Sequence, residues 1–290
     1  MTLHTRRQFL ASLGVGALGL AGINAASSCA SSGVGTAAGG RKLKKIGVQL
    51  YSVRDLMKQD MPGTLAQVAA AGYKEVEFAG YFGRTPEQVR QLLAQNGLTS
   101  PSSHMQFDPF AGDAAAVLAF SKAIGNQWAV VPYIAEEHRK TMDDWKRITD
   151  ILNNLGTQAK SQGLRLAYHN HNFEFADMGG QRPYDFMLRN TDPSLVDFEM
   201  DLYWVVFGGA QPLDFFNRYP GRFPLVHVKD SAGPPNNKMT DVGQGTINFP
   251  AIFAESEKAG IKHYFVERDD PTDALATIRN SAQYLLNLTY

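Results

Sequence analysis

From residue 46 onward the chain alternates two hydrophobic patterns. Short apolar-rich runs of strand length are each followed by a longer segment with helical periodicity. Eight such pairs can be read. The strands are expected at 46–52, 74–79, 99–104, 128–132, 165–170, 196–202, 225–229 and 263–268. The helices are expected near 62–71, 85–96, 113–124, 141–162, 183–190, 211–219, 248–259 and 271–287. Gly72, Gly97, Gly125, Gly163, Gly221 and Gly260 stand where a helix hands over to a strand, the usual place for a glycine C-cap. Strand–helix alternation implies a parallel sheet, and eight repeats predict closure into a (β/α)8 TIM barrel. An open doubly wound sheet is the alternative, but no Gly-x-Gly-x-x-Gly follows the first strand.

Within the strands, alternate residues separate by polarity. Ile46, Val48 and Leu50 share one face, with Gln49 and Tyr51 opposite. Val76 and Phe78 oppose Glu75 and Glu77, and Phe198, Met200 and Leu202 oppose Asp197, Glu199 and Asp201. Val226 and Val228 oppose His227 and Lys229. One apolar face would meet the helix layer, since successive strand side chains point to opposite sides. A merely packed barrel would fill its other face with aliphatic residues. Polar residues at the C-terminal strand ends instead suit the mouth of an active site.

The first 45 residues follow another pattern. Thr5-Arg6-Arg7-Gln8-Phe9-Leu10 precedes an uncharged stretch from Ala11 to Ala26, the order of a secretory signal. The paired arginines predict the twin-arginine export route. The apolar stretch is short and glycine-rich for a membrane span, which needs about 20 apolar residues. Cys29 follows small residues, which makes it a candidate lipid anchor. An ordinary signal-peptidase cut leaving Cys29 free is the alternative. We therefore expect a signal peptide over 1–29, a flexible tether over 30–45 and a catalytic barrel over 46–290. The expected location is the periplasm of a bacterium, either free or as a membrane-anchored lipoprotein.

Charge and cysteine count sharpen this division. The 28 basic and 28 acidic residues balance over the whole chain. Residues 1–45 hold six bases and no acid, so the body carries 22 basic against 28 acidic residues, a net −6. An acidic body is a poor partner for a phosphate backbone, so no nucleic acid is expected. One cysteine excludes an intramolecular disulfide framework and any multi-cysteine zinc cluster.

The last four strands end in chemistry. Tyr168-His169-Asn170-His171 leads into Phe173-Glu174-Phe175, and Asp201-Leu202-Tyr203-Trp204 closes strand six. Strands seven and eight supply His227-Val228-Lys229-Asp230 and Val266-Glu267. Glu174, Asp201, His227 and Glu267 would thus meet on one rim. Three clustered carboxylates repel and raise each other's pKa unless a cation joins them. Oxygen-rich ligation with one imidazole suits Mn²⁺ first, with Mg²⁺, Zn²⁺, Co²⁺ or Fe²⁺ as alternatives.

Together with Gly47-Val48-Gln49-Leu50-Tyr51-Ser52 and Gly243-Gln244-Gly245, these motifs resemble the sugar phosphate isomerase/epimerase group of xylose isomerase-like TIM barrels. That group includes inosose dehydratases, ketohexose 3-epimerases and 3-keto-glycoside lyases. The resemblance implies one divalent metal held by Glu174, Asp201, His227 and Glu267. Some relatives place the first ligand on the strand itself, where His169 stands here. It further implies proton abstraction next to a carbonyl through an enediolate. His171 resembles the base of the lyases, whereas in the epimerases two glutamates would act, here Glu174 and Glu267. Lys229 would orient or polarise a substrate oxygen. Gln49, Tyr51, Glu77, His104 and Trp204 would contact the sugar. The Gly243-Gln244-Gly245 turn lacks the lysine of a phosphate-binding loop.

The expected activity is a metal-dependent sugar isomerase or epimerase. A lyase or hydratase acting on a 3-keto-glycoside at the same site is the alternative. A non-catalytic exported sugar-binding protein ranks below both, and an apurinic endonuclease below that. The expected partner is a small sugar or glycoside.

Overall fold

The computed structural model describes residues 40–105, 108 and 114–290. The expected signal peptide, Cys29 and most of the tether lie outside them. Eight parallel strands close into a barrel: β1 Gly47–Gln49, β2 Glu75–Phe78, β3 Thr99–His104, β4 Trp128–Val131, β5 Arg165–His169, β6 Val196–Asp201, β7 Leu225–Val228 and β8 His263–Val266. Each strand pairs with its sequence neighbours, and β8 closes the ring by pairing parallel to β1. This is the expected TIM barrel.

Most differences from the sequence expectation come from side chains that turn the chain. Strand one stops at Gln49 because its amide oxygen accepts from the Tyr51 amide at 3.1 Å, opening a 3-10 turn over Leu50–Val53. Strand six stops at Asp201 because its carboxylate caps the unexpected helix Leu202–Phe207, accepting from the Trp204 amide at 3.0 Å. The expected helix at 248–259 breaks into Phe249–Ala254 and Ser256–Ala259. Helix Met142–Ser161 begins on a capping box between Thr141 and Asp144. Gly125 and Gly260 adopt left-handed φ of 99° and 82° at helix ends, as C-capping requires. Residues 40–45, expected as the end of the tether, run along the barrel. The Arg41 amide donates to the Tyr290 carbonyl at 2.7 Å, and the Tyr290 amide returns a bond at 3.0 Å.

The apolar strand face meets the helices as expected. Val48, Val76, Phe78, Phe198, Met200, Val226 and Val228 join one continuous core with the helical residues. The inward face is layered. At the N-terminal end Glu75 bonds His263, while Trp128 and Arg165 both bond Asp197. Above this a small apolar plug contains Trp128, Val130, Ala167, Leu225 and Phe265. The next layer is polar and fully inside the barrel. No described helix is long and apolar enough to cross a membrane.

Candidate functional site

The two-residue period of the strands stacks polar side chains toward the C-terminal mouth. Glu199 and His227 lie two residues before Asp201 and Lys229 on their chains, so each pair points inward at successive levels. Glu77 on β2 and His104 on β3 reach across the barrel to β7 and β6. His227 Nε2 lies 2.7 Å from Glu77 Oε2 and 3.2 Å from Glu199 Oε2. His104 Nε2 lies 2.9 Å from Glu199 Oε2 and 3.4 Å from Glu77 Oε2. Gln49 Nε2 donates to Glu77 Oε2 at 2.8 Å.

The upper level is built on His169, Asp201, His227, Lys229 and Glu267. His227 Nδ1 lies 2.7 Å from Glu267 Oε2 and 3.9 Å from Asp201 Oδ2. His169 Nε2 is 3.3 Å from Asp201 Oδ2, and its Nδ1 is 3.2 Å from the Pro132 carbonyl. The Lys229 ammonium sits among three carboxylates, at 3.0 Å from Asp201, 2.8 Å from Glu267 and 2.9 Å from Asp269. One donor atom each from His169, Asp201, His227 and Glu267 falls within 4.8 Å of the others, a group able to hold a metal ion.

These contacts set the charge states. Burial opposes ionisation of Glu267, but Lys229 and His227 hold its carboxyl well below the usual range. Burial pulls on Lys229 too, and Asp201, Glu267 and Asp269 carry its ammonium well above the ordinary lysine value. Asp269 itself is pushed up to about 6 by burial and by the nearby Glu267. Burial, then His169 and Lys229, push His171 down to about 2, so its ring is neutral. The His171 Nδ1 is buried without a hydrogen-bond partner.

A cleft of about 270 Å³ opens above this level, lined by Tyr51, His104, Tyr133, His169, His171, Lys229, Glu267 and Asp269 among others. Larger cavities exist elsewhere on the surface, but this one meets the convergent charges. Of the expected sugar contacts, Tyr51 and His104 line the cleft. Gln49 and Glu77 are completely buried beneath it. Trp204 stands behind the lining, its ring 5.6 Å from that of His171.

Glu174 differs from its expected place. Asp201, His227 and Glu267 come together, but the Glu174 carboxylate does not join them. Its Oε1 accepts from the Tyr168 hydroxyl at 2.7 Å and its Oε2 from the His171 amide at 2.9 Å. Tyr168 points outward from β5 into the helix-side core, and it draws Glu174 with it. His169, on the inward face of the same strand, occupies the fourth corner. The sequence reading also passed over Glu199 and Asp269. Glu199 carried a signal, since it precedes Asp201 by one strand period. Asp269 lies beyond the end of β8, where periodicity has ended.

The Xylose isomerase-like TIM barrel family matches residues 65–288. Over 246 residues the chain is 24% identical to an inosose dehydratase of Lacticaseibacillus casei, spanning 72% of this chain and 82% of that protein. The fold superposes on a sugar phosphate isomerase/epimerase from Parabacteroides distasonis with a TM-score of 0.72 and 28% identity, covering 88% of this chain and 96% of that one. It also superposes on the apo form of a 3-keto-D-glucoside 4-epimerase from E. coli, with a TM-score of 0.66 and 18% identity over 83% and 98% of the two chains. That last likeness is one of fold. The relatives are named as sugar-modifying enzymes, and the match over most of the barrel gives the conclusion: this chain belongs to the xylose isomerase-like TIM-barrel family.

Proposed function

We propose that this chain abstracts a proton next to a carbonyl of an oxidised sugar or cyclitol and eliminates a neighbouring oxygen substituent, as a dehydratase or lyase. One observation carries the choice of elimination. The cleft offers a neutral histidine opposite a lysine–carboxylate group, whereas Glu174, needed for a glutamate pair, is bonded to Tyr168. His171, which lines the cleft with its ring neutral, accepts the proton. Its low basicity demands that the carbon acid be strongly acidified. Lys229, whose ammonium lines the cleft among Asp201, Glu267 and Asp269, supplies positive charge near the carbonyl oxygen where negative charge develops. The electron pair left on carbon re-forms as a double bond as the adjacent C–O bond breaks. The departing oxygen takes the proton that His171 has accepted and leaves as water or alcohol, which returns the imidazole to its neutral form. The names of the curated relatives, inosose dehydratases, support this reading.

His169, Asp201, His227 and Glu267 fit a divalent cation. Two imidazoles and two carboxylates converge, all buried. His227 keeps its second nitrogen against Glu77, the orientation that a carboxylate imposes on a ligand histidine. Bound there, the metal would act as a Lewis acid that polarises the substrate carbonyl. Two imidazoles in place of one move the preferred ion from Mn²⁺ toward Zn²⁺.

Epimerisation or isomerisation through the same enediolate is the second reading, supported by the name of the Parabacteroides distasonis relative. Incubation with an inosose, a 3-keto-glucoside and a ketohexose in deuterated water separates the two. Elimination releases water or aglycone together with an unsaturated product. Deuterium incorporation with no release overturns the dehydratase or lyase reading in favour of epimerisation. Silence on all three supports a binding protein. We further propose export by the twin-arginine route, on the Arg6-Arg7 motif and the apolar stretch that follows. Cys29 would anchor the exported chain to lipid.

A further inference from the structure

Beneath the cleft lies a second convergent group, of which the proposed reaction uses only His227 and the Glu77 that orients it. Glu77, His104, Glu199 and His227 come from four strands, are all buried, and place one donor atom each within 4.8 Å of the others. We propose that this group is a second, deeper site for a divalent cation, zinc by its geometry, sharing His227 with the upper group.

The distances fit a metal. Ligands about 2.0–2.1 Å from a tetrahedral zinc lie about 3.3 Å from one another. Here four nitrogen–oxygen edges are 2.7, 2.9, 3.2 and 3.4 Å. A small expansion of the cluster would therefore admit the ion without moving a strand. The donor types agree as well, since two imidazoles and two carboxylates form a set that zinc accepts.

An independent observation points to a ligand. Glu77 Oε1 and Glu199 Oε1 are both buried with no hydrogen-bond partner. A buried carboxylate oxygen left unsatisfied is costly, and two in one cluster are unusual. A cation held by both oxygens of each carboxylate would engage these second oxygens as well as the Oε2 atoms that face the imidazoles. In the empty group the carboxylates pull His104 and His227 toward their protonated forms, and a divalent ion would replace those ring protons as the balancing charge. Among the described residues no lysine or arginine pairs with either carboxylate, whereas Lys229 supplies an ammonium to the upper group. Gln49 donates to Glu77 from outside the four, as partners of metal-bound carboxylates do.

The sharing of His227 links the two levels. Its Nε2 faces Glu77 and Glu199, and its Nδ1 faces Glu267 and Asp201. With both levels filled, each ring nitrogen holds a cation, and the ring protons directed at Glu77 and Glu267 in the empty group pass to solvent.

Metal content tests the inference separately from the upper site. The purified chain is loaded with zinc, dialysed, and analysed by plasma mass spectrometry, beside Glu77→Gln and Glu267→Gln. Two zinc ions in the parent and one in each variant are expected. One ion lost in Glu267→Gln and kept in Glu77→Gln overturns the deeper site and leaves the upper one standing. One ion with the reverse pattern supports the deeper site and removes the upper. No bound ion in the parent refutes both. Should Glu77→Gln fail to fold, as judged by circular dichroism, His104→Asn gives the same reading from another strand.

Discussion

Two neighbouring side chains, His171 and Glu174, lie on the same short segment and meet opposite fates. His171 turns to the cleft and is held neutral. Glu174 turns to the helix side, and burial pushes its carboxyl up to about 7 despite bonds from Tyr168 and the His171 amide. If His171 is the base, His171→Asn should lower kcat by about 10²–10⁴ and abolish solvent deuterium uptake while the far-ultraviolet spectrum stays unchanged. A variant with parental exchange would rule His171 out. Glu174 makes a separate prediction about stability. Its folded-state value lies above the unfolded one near 4.5, so the native state holds a proton that the unfolded state has lost between about pH 4.5 and 7. Through this group stability is greatest below pH 4.5 and falls as pH rises to 7, by up to about 3 kcal/mol. In Glu174→Gln this fall should vanish. Urea denaturation at pH 5 and pH 8 measures it, and an unchanged difference between the two would show that Glu174 does not carry it.

At the scale of elements, the loop after β7 depends on one carboxylate. Asp230 accepts from the amides of Ser231, Gly243, Gly245 and Ile247 at 2.8, 2.9, 3.0 and 3.2 Å. This explains the Gly243-Gln244-Gly245 motif. A Cβ on Gly245 would meet Asp230 Oδ1 at 2.2 Å and the Ser231 carbonyl at 2.3 Å. The motif thus shapes the loop that follows the Lys229 strand end. Asp230→Asn presents an amide group to backbone donors, leaving at least one of them unpaired. The expected loss is about 1–3 kcal/mol in unfolding free energy by urea titration. A change below a few tenths would mean that water replaces the carboxylate. The barrel strands themselves were legible in the sequence, because alternation and glycine junctions mark them directly. The unexpected helix Leu202–Phe207 was hidden, because its start depends on Asp201 serving at once as strand end and N-cap.

For the whole molecule, the division of charge has a consequence for assembly. Of the six bases before residue 46, Arg41, Lys42, Lys44 and Lys45 go with the barrel and Arg6 and Arg7 remain in the proposed leader, and the proposed export route carries folded proteins. Replacing Arg6 and Arg7 together by Lys should leave the chain folded and retained in the cytoplasm, read by cell fractionation. Undiminished export would refute the twin-arginine assignment. Residues 41–45 would cross with the barrel rather than with the leader, since Arg41 pairs with Tyr290 and Lys45 with Glu75.

The sequence by itself determined the eight-fold strand–helix repeat, the inward direction of Glu77, Asp201, His227 and Lys229, and the mouth at which they gather. Those follow from local periodicity, which β1, β2, β6 and β7 each show independently. Only the tertiary structure decided that His169 rather than Glu174 completes the upper group. That choice depends on the face of β5 from which each neighbour departs and on Tyr168 capturing the glutamate within the core. Only closure of the barrel brings Glu77 against His227 and His104 against Glu199, 150 and 95 residues apart. No spacing along the chain encodes those meetings, because they arise from strands that face each other across the barrel without pairing.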